Sequence, residues 1–236
     1  IFYVLACIFL ALAGIFFYGD MVRESMVAVQ IAQYQVDTPV GLTEVVLQTM
    51  IDGIGILVLF LIPMLSMRLY AEEKAQGTIE LLFTYPVSDA AVLAGKYLAG
   101  LTVLVVMIAG TAVSVLVLAS ISPVDWGVVL TSYLGLLCLG GALLAVGVFA
   151  SSLTRNQIIA SVLTLGLILV FWVIGGFADL AEGGLGRVLQ EISLIGHLDS
   201  FLKGMLTLKD IVFYAAFTLF FLFLTLRILE SHTWRG

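Results

Sequence analysis

Charge is what this chain has least of. Lys, Arg, Asp and Glu make up only 11% of its 236 residues against 62% hydrophobic ones, and the mean hydropathy is +1.19. Soluble domains keep about a quarter of their residues charged, so the shortage excludes a water-covered globular surface and marks an integral membrane protein. Basic residues are the scarcer kind: ten Lys and Arg face sixteen Asp and Glu, for a net charge of −6 and a pI near 4.7. No two of them are adjacent. Nucleic acid is thereby excluded as a partner, because its binding needs clustered cations to displace phosphate counterions. Cysteine is also rare, and Cys7 and Cys138 each sit in an apolar run where a thiol behaves as a small hydrophobe, which gives no basis for a disulfide framework.

The motifs of chemistry are missing too. There is no GxxxxGK[ST] phosphate loop: Gly95-Lys96 is followed by Tyr97, and Ala90 stands where the first glycine belongs. The chain therefore cannot hydrolyse ATP by that route. HExxH and GxSxG are absent, and the two histidines, His197 and His232, both lie outside the apolar runs, so an intramembrane hydrolase finds few of its parts. Reading Glu182, Glu191, His197 and Asp199 as a metal site matches no ligand spacing. Charges within the runs are nearly absent, which disfavours an ion-coupled carrier. A passive channel would need polar rings along runs that hold mostly Leu, Val, Ile, Ala and Gly.

What is present is six apolar runs, each long enough to cross about 30 Å of hydrocarbon as a helix. They are Ile1 to Tyr18, Ile51 to Met67, Val92 to Ala119, Gly127 to Ala150, Ile158 to Phe177 and Asp210 to Leu226. The first lacks the basic n-region and cleavage site of a signal peptide, and its lack of an initial Met suggests a missing natural N-terminus. It ends at Gly19-Asp20, after which residues 20–49 read as a solvent-side loop with some interfacial helix. Asp52, close to a boundary, reads as a charge at headgroup level rather than an intramembrane carboxylate. Pro63 removes a backbone donor and predicts a kink in the last turns of the second run. Ser122 to Trp126 and Ser151 to Gln157 are short turns, and Trp126 and Trp172 fall near boundaries as interfacial aromatics do. Small residues on the fourth run, Gly141/Ala145 and Gly147/Ser151, suit close helix contact between two copies or simple packing within one.

From Ala178 to Lys209 the pattern changes. Val188, Ile192, Ile195, Leu198, Leu202 and Met205 recur at helical spacing with Arg187, Glu191, Asp199 and Lys203 interleaved, which predicts an amphipathic helix pair in the interface. Six spans place both termini and the stretch Arg68 to Lys96 on one side. That side holds Arg68, Lys74, Lys96, Arg155, Arg227 and Arg235, against Arg23, Arg187, Lys203 and Lys209 on the other, so the positive-inside rule puts it in the cytoplasm.

The stretch Arg68 to Lys96 is the longest charged interval between two runs. Arg68 to Phe83 can extend the second span as a helix with Leu69, Glu73, Gln76, Glu80 and Phe83 on one face, mixed acidic and apolar. Gly77 weakens that helix, Tyr85-Pro86 stops it, and Ser88 or Asp89 caps the next, with Lys96 snorkelling to the surface. Two readings fit these residues alone, a docking face for a partner protein and a solvated loop.

The segment MRLYAEEKAQGTIELLFTYPVSDAAVLAGKYLAG resembles the signature of ABC-2-type permeases, the membrane subunits of ATP-binding-cassette exporters. The likeness is carried by Glu73-Lys74, Gly77-Thr78, Glu80, Leu81-Leu82, Pro86-Val87 and Gly95-Lys96, with Tyr85 standing where a small residue is common. Among subtypes the chain is most similar to the gliding-motility-associated and copper-processing permeases, the former also through LIGHLDSFLKGMLTLKDIVFYAAFTLFFLFLTLRILES. The resemblance implies an all-α, six-span polytopic protein forming one transmembrane domain over 1–236, without the family's N-terminal elbow helix. It implies a cytoplasmic coupling helix after the second span, docked on a separate ABC ATPase through Arg68, Glu72, Glu73, Lys74, Gly77, Thr78, Glu80 and Pro86, with Glu73 the acidic contact. It also implies re-entrant helices between the fifth and sixth spans, pairing with a second permease chain, a bacterial cytoplasmic membrane, and ATP and Mg on the ATPase rather than on this chain. No enzyme activity or cofactor of its own follows. A membrane scaffold that transmits ATPase motion to an external complex without moving solute is the alternative.

Overall fold

The computed structural model describes residues 2–34, 42–78, 88–178 and 184–233. Among them every regular element is helical, as a chain without exposed polar backbone must be in a bilayer. In order they are α1 (Phe2–Tyr34), α2 (Leu42–Ser66), α3 (Ala71–Gln76), α4 (Asp89–Gly110), α5 (Ala112–Ile121), α6 (Trp126–Leu153), α7 (Gln157–Ala178), α8 (Gly184–Ile192), α9 (Leu194–Leu202) and α10 (Leu208–Thr233). Among the described residues six spans are long and apolar enough to cross a membrane: α1, α2, α4 with α5, α6, α7 and α10. The chain is a multi-pass membrane protein.

Two boundaries differ from the sequence reading. The first helix does not stop at Gly19-Asp20 but runs on to Tyr34. A lone helix glycine costs only about 1 kcal/mol, and Phe9, Ala13 and Phe17 bury themselves in the core along this helix. The second helix begins at Leu42, well before Ile51, because Val46, Leu47 and Met50 are apolar and buried. Asp52 consequently lies about 10 Å along the axis from Val45, in the interior of a longer helix than the sequence reading gave it, and its side chain is exposed. Pro63 stays within α2, and the Met67 N–H still reaches its carbonyl at 3.1 Å.

Local chemistry ends and starts the others. The third span is broken at Gly110-Thr111, where Thr111 Oγ1 donates to the Ile108 carbonyl at 2.6 Å and meets the Tyr133 hydroxyl at 3.0 Å. Asp125 caps α6 by accepting from the Gly127 N–H at 2.7 Å, and Asn156 accepts from Ile158 at the start of α7.

The core forms around α6. Of its most apolar window 78% is buried, against 17% for α1 and α10, so this helix is central and those two are peripheral. Small residues make that possible. A Cβ at Gly135 would meet Phe201 of α9 at 2.6 Å, at Gly140 Leu104 of α4 at 2.6 Å, and at Gly147 Ser66 of α2 at 2.3 Å. Gly141 faces Tyr97, whose hydroxyl donates to its carbonyl at 3.1 Å. The small faces Gly141/Ala145 and Gly147/Ser151 thus serve packing within the chain, since side chains of α2, α4 and α7 already occupy them. On the flank, Phe171, Phe217 and Phe221 join α7 to α10 through edge-on rings.

Successive spans alternate in direction, which gathers the end of α2, the start of α4 and the end of α6 at one face. At the other, the start of α2 meets α9, where Gln48 Nε2 donates to the Leu202 carbonyl at 3.4 Å.

Candidate functional site

The chain between α2 and Gly77 makes an elbow rather than a continued helix. At Ser66 the helix ends, Leu69 N–H bonds back to the Ser66 carbonyl at 3.0 Å, and α3 then lasts only from Ala71 to Gln76. Gly77 ends it in the left-handed region at φ 71°, a conformation that L side chains rarely adopt. The helical face expected through Leu69, Glu73, Gln76, Glu80 and Phe83 is described only as far as Gln76, where α3 ends. Leu69 sits in the turn, Gly77 interrupts the register, and Glu80, Phe83 and Pro86 lie outside the described residues.

One hydroxyl from α6 holds the elbow. Ser151 Oγ accepts from the backbone N–H groups of Tyr70 and Ala71, both at 3.1 Å, and donates to the Met67 carbonyl at 3.2 Å. Tyr70 and Ala71 are buried, and N–H groups at a helix start have no partner of their own. Ser151 supplies what a side chain at Tyr70 cannot. Lys74 Nζ reaches the Ser152 carbonyl at 2.5 Å, where the unpaired carbonyls at the end of α6 favour a cation.

A second tie comes from α4. Lys96 Nζ donates to Glu73 Oε1 at 2.5 Å and to the Leu69 carbonyl at 2.7 Å, and stands 4.9 Å from the centre of the Tyr70 ring. Its side chain is 17% exposed. Lys96 does not snorkel to the surface, then, because two acceptors and an aromatic face are nearer than water. The α4 start is capped as expected, Ser88 Oγ accepting from the Ala91 N–H at 3.3 Å.

The expected partner-contacting residues separate into two groups. Glu73 and Lys74 are turned into the chain's own framework. Arg68, Gly77 and Thr78 are exposed, with Glu72 beside them, 4.0 Å from Arg68 and accepting from Gln76 at 3.4 Å. Thr78 closes the end of α3 by donating from its N–H to the Glu73 carbonyl at 3.0 Å. Sequence reasoning read Ser151 only as a small residue suited to close helix contact and as the start of a short turn, and passed over Ser152. Their signal was a pair of small hydroxyl residues closing an apolar run.

At the opposite face α8 and α9 form the expected helix pair, and of the expected apolar residues Leu198 and Leu202 are buried while the others are not. Val188, Ile192 and Ile195 are exposed, while Leu194, His197, Leu198, Phe201 and Leu202 are buried. The pair breaks at Ser193, which caps α9 by accepting from the Gly196 N–H at 3.0 Å, and the break resets the helical phase. His197 joins α9 to α10: Nδ1 lies 2.6 Å from Asp210 Oδ1, Nε2 3.2 Å from the Glu191 carbonyl, and its ring stacks on Phe213 at 4.0 Å. Thr207 also donates to Asp210, and the Tyr214 hydroxyl donates to the Leu194 carbonyl at 2.6 Å. Phe201 seats against Gly135, and Ser132 Oγ donates to the Phe201 carbonyl at 3.4 Å. The loop is thereby keyed into the bundle.

A family described as ABC-2 family transporter protein matches residues 1–232 of the chain. No curated protein matches it.

Proposed function

Because the chain belongs to the ABC-2 transporter family, we propose that it is the membrane-spanning permease subunit of an ATP-binding-cassette exporter, driven by a separate ATPase subunit that docks on the elbow. The observation that carries this reading is the clamp. Ser151, Lys74 and Lys96 tie the elbow to α6 and α4, and the elbow itself continues α2. A push on α3 is thus passed to three spans at once, while Arg68, Ala75, Gln76, Gly77 and Thr78 stay exposed to a partner.

In this reading Arg68, Glu72, Gly77 and Thr78, with Glu80 and Pro86 beyond them, meet the ATPase. Glu73 and Lys74 pass the motion on. ATP and Mg belong to the partner, because this chain has no phosphate loop. Two permease chains, identical or different, work with two ATPase subunits, and α8 with α9 caps the exit. The elbow and both termini lie in the cytoplasm of a bacterial cell, a placement supported by the excess of Lys and Arg on that side. The segment from Leu194 to Ser231 favours the gliding-motility-associated subtype.

The test is purification with the ATPase encoded beside it, followed by mass measurement and ATP turnover in nanodiscs. Two permease chains with two ATPases, and turnover that depends on the permease, are expected. A stable, active species with one permease chain and no ATPase would contradict the assignment.

A further inference from the structure

Away from the elbow, a cavity of about 940 Å³ opens beneath α8 and α9, walled in part by Asp52, Trp172, Glu191, Asp199 and Asp210. An apolar pocket of about 300 Å³ adjoins it. The two share Asp52, Trp172, Ile195 and Leu198, and the smaller continues between Leu59, Leu143 and Ile168. Both volumes fall in the range of ligand sites, roughly 300 to 1,000 Å³.

The carboxylates of the wall are not alike. Glu191 holds Lys209 at 2.6 Å, Asp199 holds Lys203, and Asp210 holds His197 at 2.6 Å. Asp52 alone among these four has no hydrogen-bond or ion-pair partner among the described residues, and it is exposed in the wall that the two cavities share. Its oxygens only accept, and an indole stands in the same wall, the pairing of charge and aromatic face that suits an ammonium head.

We propose that this double cavity binds a monocationic amphiphile, with the cationic head between Asp52 and Trp172 and the aliphatic chain in the pocket behind them. As a site for cargo the assignment rests on the permease reading, but binding itself does not require it.

Trp172 provides the measurement. With Trp126 and Trp234 replaced by Phe it is the one tryptophan left of three, and a bromoalkyl chain in the pocket quenches it. The chain is placed in phosphatidylcholine nanodiscs and titrated separately with 11-bromoundecyltrimethylammonium, 11-bromoundecylphosphocholine and 11-bromoundecyl maltoside. The cation should quench saturably at concentrations at least tenfold lower than the other two. Asp52→Asn should remove that preference. Gly55→Leu should weaken quenching by all three, since a Cβ there meets only Leu136 Cδ1 at 4.0 Å and the longer side chain fills the pocket. An unchanged elution volume and unfolding midpoint verify that both variants fold.

Equal quenching by the three probes, or a cation preference that survives Asp52→Asn, overturns the proposal. ATP turnover of the complex is read separately. Cation-selective binding by a chain that associates with no ATPase upholds the site and removes its meaning as a cargo site. A coupled complex without cation-selective binding overturns the site and leaves the permease reading intact.

Discussion

Lys96 Nζ lies 2.5 Å from Glu73 Oε1, so the start of the third span is held by the elbow that follows the second. The pair turns inward, with Glu73 Oε2 buried and Lys96 mostly so. An acidic residue expected to face a partner also links two elements of its own chain, with its side chain still 36% exposed.

Replacing Glu73 by Ala should leave membrane insertion intact and lower stability by about 1.5–3 kcal/mol, the range for a hydrogen bond to a charged group. Coupled ATP turnover with the partner should fall along with it. Glu72→Ala removes only a loose approach to Arg68 and a long bond from Gln76, so about 0–1 kcal/mol is expected. Unfolding midpoints in detergent, with turnover of the reconstituted complex, separate the two. Equal effects would leave Glu73 without a special place.

The clamp hydroxyl gives a cleaner contrast. Ser151→Ala strips two buried N–H groups of their acceptor, at about 1–3 kcal/mol each. In Ser152→Ala the carbonyl that receives Lys74 stays, and the lost hydroxyl bonded only to Phe149 in its own helix. A thermal shift at Ser151 several times that at Ser152 is expected; similar shifts would argue against the clamp.

Close approach at Gly147 can be tested by a double-mutant cycle. Gly147→Ala places a methyl 2.3 Å from Ser66 Oγ and 2.5 Å from Ser66 Cβ, and overpacking of this kind costs about 1–3 kcal/mol. Ser66→Gly should restore most of that loss. Independent, additive losses would place the strain elsewhere.

Asp210→Ala leaves the His197 ring buried without its carboxylate and should destabilise by about 1.5–3 kcal/mol, the range for a hydrogen bond to a charged group. Lys209→Ala, next to it in the chain, opens a pair whose two side chains are each 59% exposed, for which about 0–1 kcal/mol is expected. Differential scanning fluorimetry of the two variants makes the comparison, and a stable Asp210→Ala protein would show that α9 does not depend on the His197–Asp210 pair.

Topology is open to cysteine labelling in a chain without Cys7 and Cys138. Val188 is exposed and Gln76 lies on the opposite face, whereas Ser193 is buried and makes a poor reporter. Val188→Cys should react only from outside the cell and Gln76→Cys only from inside. Reaction of both from one side would overturn the six-span arrangement.

Composition and run length determined that this chain crosses a membrane six times, because a span needs only about 20 apolar residues and that is a local property. They also determined that a charged elbow follows the second span and a helix pair precedes the sixth, and local capping chemistry at Ser88 was legible for the same reason. Where α1 ends and α2 begins was not, since Gly19 and Asp20 are tolerated in a helix whose Phe9 and Phe17 are buried against its neighbours. The buried side of α9 was legible only at Leu198 and Leu202, because a break at Ser193 changes the phase that periodicity assumes and leaves Ile195 exposed. Only tertiary packing turned Lys96 inward, brought Ser151 beneath Tyr70, filled the small faces of α6 with side chains of the same chain, and set Asp52 in a cavity without a partner. Those relationships join residues far apart in sequence, and spacing along one helix carries no information about what another helix brings to it.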